Sequence, residues 1–463
     1  MKKSKPKQPL WQPDTSCRPP PGKTYLTIGQ DFFSIEEYLL SQYNASLEDN
    51  SMRPLSSFDP AATMFYTDIQ ELRGLAEPVD YGSGIEYADA LQEAFPKSGI
   101  QIGLWLNGTA GCEDIVDGAL DLQIKEMYKE LQKLHVPKVF LRVGYEFDNP
   151  WFGYSSDPLV YQQAFQYLVQ ACEVQLSIPG CHRVVSFVWH SWAAPKVAPL
   201  ADFYPGDKYV DWVGVSIFQQ LYPWANEKAN GDFAGGTLAQ VQEVLDFARD
   251  HDKPIMIAES TPFGGMFFEN QPPVDFDDKD DMDIWDLWFQ PTLDLIEEYD
   301  IGMWSYINCD WNSQPMWAGV GFGDTRISSV PKVMANWRQR VLGNPRFVTN
   351  KLDCYSNMHA QYKNHYTPAM GAIGTSGRAS VYNLDSFSTI LPAILVVGIL
   401  FILGSTIQRL YCKLRVDEPT ESQTKLLLEE EEDPLKTGGY GAVGSNVSSR
   451  DEHDNSGRWS VNL

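Results

Sequence analysis

Positive charge is scarce in this sequence: 36 Lys and Arg stand against 61 Asp and Glu, a formal net charge of −25 over 463 residues. An extended phosphate backbone is bound by clustered basic side chains that displace its counterions, so no nucleic-acid partner is expected. Phosphate-cradling and metal motifs are missing too. No GxGxxG follows an early strand, which argues against an open dinucleotide-binding sheet. With seven His, no HExxH and no CxxC, no zinc ligand set stands out, and neither metal nor cofactor is expected. No repeat period or string of small modules is visible, against an adhesion or structural array. What is abundant is apolar and aromatic: 43% of residues are hydrophobic, with 14 Trp, 22 Tyr and 23 Phe, so the chain is neither disordered nor collagen-like. Flat rings with a polar handle suit cores and binding clefts equally, and position has to separate the two.

The run Phe387 to Ile407, FSTILPAILVVGILFILGSTI, is uncharged and has the ~20 residues that cross a bilayer. It reads as a single transmembrane helix, the alternative being a buried core helix. RLYCKLR follows it, and this basic flank places the C-terminus in the cytosol and the preceding chain outside, at the cell surface or in a vesicle lumen. Export ordinarily uses an N-terminal signal, yet MKKSKPKQPLWQPDTSCRPPPG has no apolar stretch; the expectation is an incomplete N-terminus, with an unseen export route as the alternative. Cys17, Cys112, Cys172, Cys181, Cys309 and Cys354 precede the run, an even set able to form disulfides, with Cys172 and Cys181 the easiest pair to imagine. Cys412 lies where palmitoylation occurs, and Asn44-Ala-Ser46 and Asn107-Gly-Thr109 are sequons suited to a glycoprotein. The chain divides into a Pro-rich leader (1–22), a catalytic-domain candidate (23–345), a polar stalk (346–386), the membrane segment (387–407) and an acidic tail (408–463) expected to be disordered. Tyr440-Gly-Ala-Val443 has the form of a sorting signal.

Within 23–345, eight short apolar runs alternate with amphipathic stretches: residues 25–31, 63–69, 100–108, 139–146, 184–192, 210–218, 253–260 and 301–311. Leu120, Ile124, Met127, Leu131 and Leu134 make one helical stripe between the third and fourth. Eight strands with crossover helices predict a (β/α)8 barrel, whose strands deliver their C-terminal ends to one face. Those ends are polar or aromatic: Asp31, Asp68, Trp105, Asn107, Glu146, His190, Trp192, Glu259, Asn308, Asp310 and Trp311. Glu146 ends strand four and Glu259 ends strand seven, on opposite sides of one mouth. Two carboxyls ~5–5.5 Å apart serve a retaining glycosidase, one as nucleophile and one as acid/base. The competing reading makes both of them rim carboxylates paired with arginines.

LRVGYEFDNPWFGY, FYPGDKYVDWVGVSIF and KPIMIAES resemble glycoside hydrolase family 26, over most of residues 23 to 345. The resemblance implies a retaining barrel enzyme acting on a β-linked polysaccharide, most often mannan, with Glu146 as acid/base and Glu259 as nucleophile. It further implies that Arg142 braces the carboxylates, that Trp151 and Phe152 stack sugars, and that Trp304 or Trp311 floors the central subsite; His190 and Trp192 join the substrate-binding set from the strand ends. Two residues depart from the family pattern: Tyr145 stands where His usually precedes the acid/base, and Phe218 where strand six usually carries a Tyr beside the nucleophile, with Tyr222 as a replacement hydroxyl. A carbohydrate-binding receptor on the same barrel is the rival function. The acidic stretch 275–283 reads as a solvated loop rather than a Ca²⁺ site.

Overall fold

Runs of Val, Ile, Leu and Phe bounded by Gly, Pro and Asp become eight strands: β1 (Thr24–Gly29), β2 (Ala62–Asp68), β3 (Gly99–Trp105), β4 (Val139–Val143), β5 (Val185–Ser191), β6 (Trp212–Ile217), β7 (Ile255–Ser260) and β8 (Met303–Ile307). Each pairs in parallel with its sequence neighbour, and β1 pairs with β8 from Tyr25 opposite Met303 to Gly29 opposite Ile307, which closes the barrel. The computed structural model describes residues 17–175, 183–193, 198–225, 236–268, 283–352 and 354. The expected membrane segment, the tail, nearly all of the stalk, the acidic residues 275–282 and Cys181 lie outside them. Among the described residues no helix is long and apolar enough to cross a membrane.

The crossovers are α1 (Phe32–Glu48), α2 (Ala88–Ala94), α3 (Gly108–Val116), α4 (Asp121–Lys133), α5 (Pro158–Gln175), α6 (Leu238–Asp250), α7 (Gln290–Glu298) and α8 (Pro331–Trp337). Local chemistry sets their ends. Asp31 caps α1 by accepting from the Phe33 and Ser34 amides, and Thr237 with Gln240 forms a reciprocal capping box on α6. On α4 the predicted stripe is the buried face, Ile124, Met127, Tyr128 and Leu131. Between β5 and β6 the described residues form a 3-10 turn, Leu200–Phe203, and no longer helix. A two-stranded hairpin, Val79–Asp80 with Ile85–Glu86, is inserted after β2.

The bottom of the barrel is plugged by Tyr25, Phe140, Trp212, Met256 and Met303, near the starts of their strands, with Val188 from the middle of β5, Leu352 and the Cys17–Cys354 disulfide. Phe347–Val348 adds a short strand beside β1. The sequence boundaries at 22 and 345 therefore cut through the barrel's own packing. Leader and stalk each contribute a half-cystine, and a pairing 337 residues apart leaves no local spacing signal to read. Cys172 is also disulfide-bonded, whereas Cys112 and Cys309 are buried free thiols.

Candidate active site

Side chains that point into a barrel stack in layers, and here the layers change character from bottom to top. Above the apolar plug, Gln101 on β3 donates to the Ala258 carbonyl at 2.7 Å and accepts from Ser305 Oγ on β8 at 2.9 Å. Above that neutral layer lie Arg142 on β4, His190 on β5, Ser216 on β6 and Glu259 on β7, all buried. Gly103 makes the room: a Cβ there would come within 2.5 Å of the Tyr66 ring and 2.9 Å of Arg142 Nη2.

A β-bulge decides where Glu259 points. Val215 pairs with Ile257 but Ser216 pairs with Glu259, so Ala258 is an extra residue in β7. Met256 and Ala258 belong to the inner core, and strict alternation would turn Glu259 outward toward the helices. The extra residue turns it back in, where its Oε1 accepts from Arg142 Nη1 in a buried ion pair. On the opposite wall, β4 ends at Val143 and the backbone enters the left-handed region at Gly144 and again at Glu146, with φ of 52° and 54°. For a non-glycine residue that conformation costs of order 1 kcal/mol. It carries the Glu146 carboxyl onto Ser216, whose hydroxyl donates to Oε1 at 2.6 Å, while Asn149 Nδ2 lies 3.4 Å from Oε2.

The result is a tight group. One oxygen of Glu146, one of Glu259 and one ring nitrogen of His190 all lie within 4.8 Å of one another. In principle three such ligands suit a cation, but the Arg142 guanidinium already pairs with Glu259 and lies 3.4 Å from His190 Nδ1, placing a positive charge where a metal would sit. Burial pushes the Glu146 carboxyl well above the usual range, the charge of Glu259 adds to this, and the Ser216 bond opposes it. Burial, reinforced by Arg142, holds His190 well below its usual value and hence neutral. A protonated carboxyl facing an ion-paired one is the division of labour between a general acid and a nucleophile.

Tyr145 and Tyr66 lie over the Arg142 guanidinium, with ring centroids 5.4 and 5.0 Å from Cζ, and against each other at 5.3 Å. Phe152 packs on Tyr145 at 5.3 Å, and half-exposed Trp151 meets the Trp192 ring edge-on at 6.3 Å. From Trp192 the aromatic contacts continue to Phe218, Phe322 and Trp311 at 5.4, 5.5 and 4.5 Å. Trp311 is thus buried in this aromatic row, its indole bonded to Thr325 Oγ1 at 3.0 Å.

Two expectations need correcting. Trp304 does not line the mouth: because Ser305 faces inward, Trp304 faces the helices, packed on Trp337 and Phe347 with its indole bonded to Ser260 Oγ. Tyr222 does not replace the strand-six hydroxyl either; its OH donates to the Phe263 carbonyl at 3.0 Å and its ring stacks on Trp224. Asp31 and Asp68, at the ends of β1 and β2, serve as caps, the latter for the Gln70 and Glu71 amides. The residues that sequence reasoning passed over are Ser216, Asn149 and Tyr66. Ser216 was findable, since it shares the inward parity of Trp212 and Gly214, but a serine in a hydrophobic strand carries no signal of its own.

Acids whose burial outweighs any nearby cation give the fold a pH signature. Burial pushes Asp148, which accepts from Ser191 Oγ and the Trp192 amide, up to about 6, and half-buried Asp59 up to about 6 as well. Asp31 is raised, and Glu86 and Glu146 are raised well above the usual range, in each case chiefly by burial. The folded state therefore binds these protons more tightly than the unfolded chain, whose carboxyls titrate near ~4. The stability these acids contribute is greatest where they are protonated in the fold and is lost as pH rises from about 4 through 6 and beyond; neutral His190 opposes it with a smaller contribution, one group against five, that is lost as pH falls below about 6.5. Differential scanning calorimetry of the protein is expected to give a higher Tm at pH 5 than at pH 7.5; a Tm that climbs across that interval contradicts this account.

Residues 97–256 match the model of glycosyl hydrolase family 26. A β-1,3-xylanase from an Alcaligenes species is 29% identical over 347 residues, 72% of this chain and 66% of its own length. A second β-1,3-xylanase, from a Vibrio species, is 28% identical over 347 residues and is covered over 67% of its length. The chain thus aligns with about two thirds of each of these curated relatives. Among solved structures, a GH26 β-mannanase from Bacteroides ovatus superposes with a TM-score of 0.46 at 14% identity, over 71% of this chain and 90% of that one.

Proposed function

We propose that the chain is a member of glycoside hydrolase family 26, whose model matches residues 97–256, and that its barrel hydrolyses a β-linked polysaccharide by retaining double displacement, with Glu259 as nucleophile and Glu146 as acid/base. The observation that carries this reading is the pair of buried carboxylates whose oxygens approach within 4.8 Å, close to the ~5–5.5 Å separation of retaining enzymes and short of the ~6.5–9.5 Å that an intervening water requires. Arg142 holds one oxygen of Glu259, and the second is left to attack the anomeric carbon. Half-exposed Trp151 and part-buried Phe152, in the segment after Glu146, offer faces for sugar rings, whereas Trp192 is buried.

The substrate assigned first is β-1,3-xylan, on the names of the relatives matched over 347 residues, ahead of the mannan that family resemblance alone suggested. The tether belongs to the same proposal: the uncharged run 387–407 spans a membrane and the RLYCKLR flank stays in the cytosol, with the barrel at the cell surface or in a vesicle lumen. Cys354, the last described residue, lies at the bottom of the barrel.

The test uses the full chain, expressed in a secretory host and solubilised in detergent, against β-1,3-xylan, β-mannan and mixed-linkage β-glucan. Reducing-end release from β-1,3-xylan with retained anomeric configuration is expected. Hydrolysis of mannan alone would reassign the substrate, and binding of a glycan by a folded protein that cleaves none of the three would replace the enzyme by a receptor.

A further inference from the structure

Glu146 is joined to Arg142 by a route that the two-carboxylate chemistry does not itself require. Arg142 Nη1 lies 3.4 Å from His190 Nδ1, His190 Nε2 lies 2.9 Å from Ser216 Oγ, and Ser216 Oγ donates to Glu146 Oε1 at 2.6 Å. All four residues are at most 3% exposed, so bulk water does not compete for these bonds. Counting protons fixes their direction. A guanidinium has only donors, so Nδ1 is the bare nitrogen of the neutral ring and Nε2 carries its hydrogen. Ser216 has one hydrogen; it accepts from Nε2 and gives its own to Glu146. Every bond then runs from the guanidinium toward Glu146, an arrangement in which each bond polarises the next. The same guanidinium bonds Glu259, so one buried cation addresses both carboxylates.

The geometry points to Ser216 and His190 as positioning residues that engage Oε1 of Glu146 and leave Oε2 as the oxygen carrying the proton for the leaving group. This rests on the two-glutamate reading above. In the first half-reaction the Oε2–H bond of Glu146 breaks and its proton goes to the glycosidic oxygen. The C1–O electrons go to that oxygen, and the Oε2 of Glu259 bonds C1. In the second, water bonds C1 as the Glu259 ester breaks, its electrons return to Glu259, and a water proton returns to Glu146. Ser216 and His190 keep their protons throughout, and touch no reacting atom.

The groups that face Glu146 are Glu259 on β7, Arg142 on β4, His190 and Ser216 on β5 and β6, and Tyr145, Asp148 and Asn149 in its own segment. Among the described residues, Ser216 alone donates to Oε1. Its removal therefore changes how firmly Glu146 holds a proton without removing a charge.

In the full chain, Ser216→Ala takes a donor from the carboxylate form, so Glu146 keeps its proton to higher pH. The alkaline limb of kcat/KM is expected to move up by about one pH unit. Loss of kcat should be larger on polysaccharide than on a dinitrophenyl glycoside, whose leaving group needs no acid. Ser216→Thr retains the hydroxyl and is expected to restore the limb, which a merely structural role does not predict. A ¹³C-carboxyl NMR titration of Glu146, its resonance assigned with Glu146→Gln, follows the same proton without turnover. If no tested glycan is cleaved but the Glu146 titration moves in Ser216→Ala, the positioning role stands while the hydrolase reading falls. An active protein whose limb and Glu146 titration are the same with Ser216→Ala overturns the positioning role and leaves the hydrolase reading intact.

Discussion

Glu259→Ala is expected to lower kcat on polysaccharide by about 10⁴-fold or more, since without the nucleophile no glycosyl-enzyme forms. The companion Glu146→Ala separates the two roles. It should cost about 10²–10⁴-fold on a substrate whose leaving oxygen needs a proton, and far less on a dinitrophenyl glycoside. Added azide should restore turnover with each variant by different chemistry, giving the β-glycosyl azide with Glu146→Ala and the α-azide with Glu259→Ala. Product stereochemistry read by proton NMR is therefore the decisive observable. Equal losses on both substrates, with no azide product, would remove the acid/base assignment. Circular dichroism and a urea melt of each variant guard against loss of fold, and Glu259→Ala, which strands the buried Arg142 guanidinium, is expected to be the less stable of the two.

Arg142→Met carries the second large effect, and it falls on stability as well as rate. The Arg142 guanidinium is fully buried, ion-paired with Glu259, adjacent to His190 Nδ1 and covered by the faces of Tyr66 and Tyr145. Removing one partner of a buried pair leaves the other charge uncompensated, at a cost of about 3–5 kcal/mol. The urea midpoint should fall accordingly at pH 7.5. Much of that loss should be recovered in the double variant Arg142→Met, Glu259→Gln, which removes both charges and leaves an amide in place of the stranded carboxylate. Additive losses in the double variant would show that Arg142 acts through packing on the tyrosines instead. Arg142→Lys is not a substitute control, because an ammonium lacks the planar guanidinium that packs on the Tyr66 and Tyr145 rings.

Much of the architecture was legible because it depends on local pattern. Apolar runs of strand length, the stripe Ile124, Met127, Leu131 on α4 and the turn residues between elements fix a βα alternation that has few closed solutions. The two glutamates could be singled out because a carboxylate directly after a buried run must emerge at a strand end. The aromatics were harder. Trp304 and Trp311 look alike in the sequence, seven residues apart on one expected strand, yet one packs among barrel helices and the other in the row that leads to Phe218. The difference is that β8 ends at Ile307, and the chain after it no longer alternates.

The sequence by itself determined the barrel, its chain order and the identity of the carboxylate pair, since these follow from periodicity and residue type along short segments. Three features were decided only by the tertiary structure: the extra residue at Ala258 that turns Glu259 inward, the left-handed backbone at Glu146 that lowers its carboxyl onto Ser216, and the Cys17–Cys354 clip across the barrel floor. Each depends on the register of one segment against another far away in the chain. A one-residue slip reverses every side chain of a strand, and no local spacing records which register the closed barrel selects.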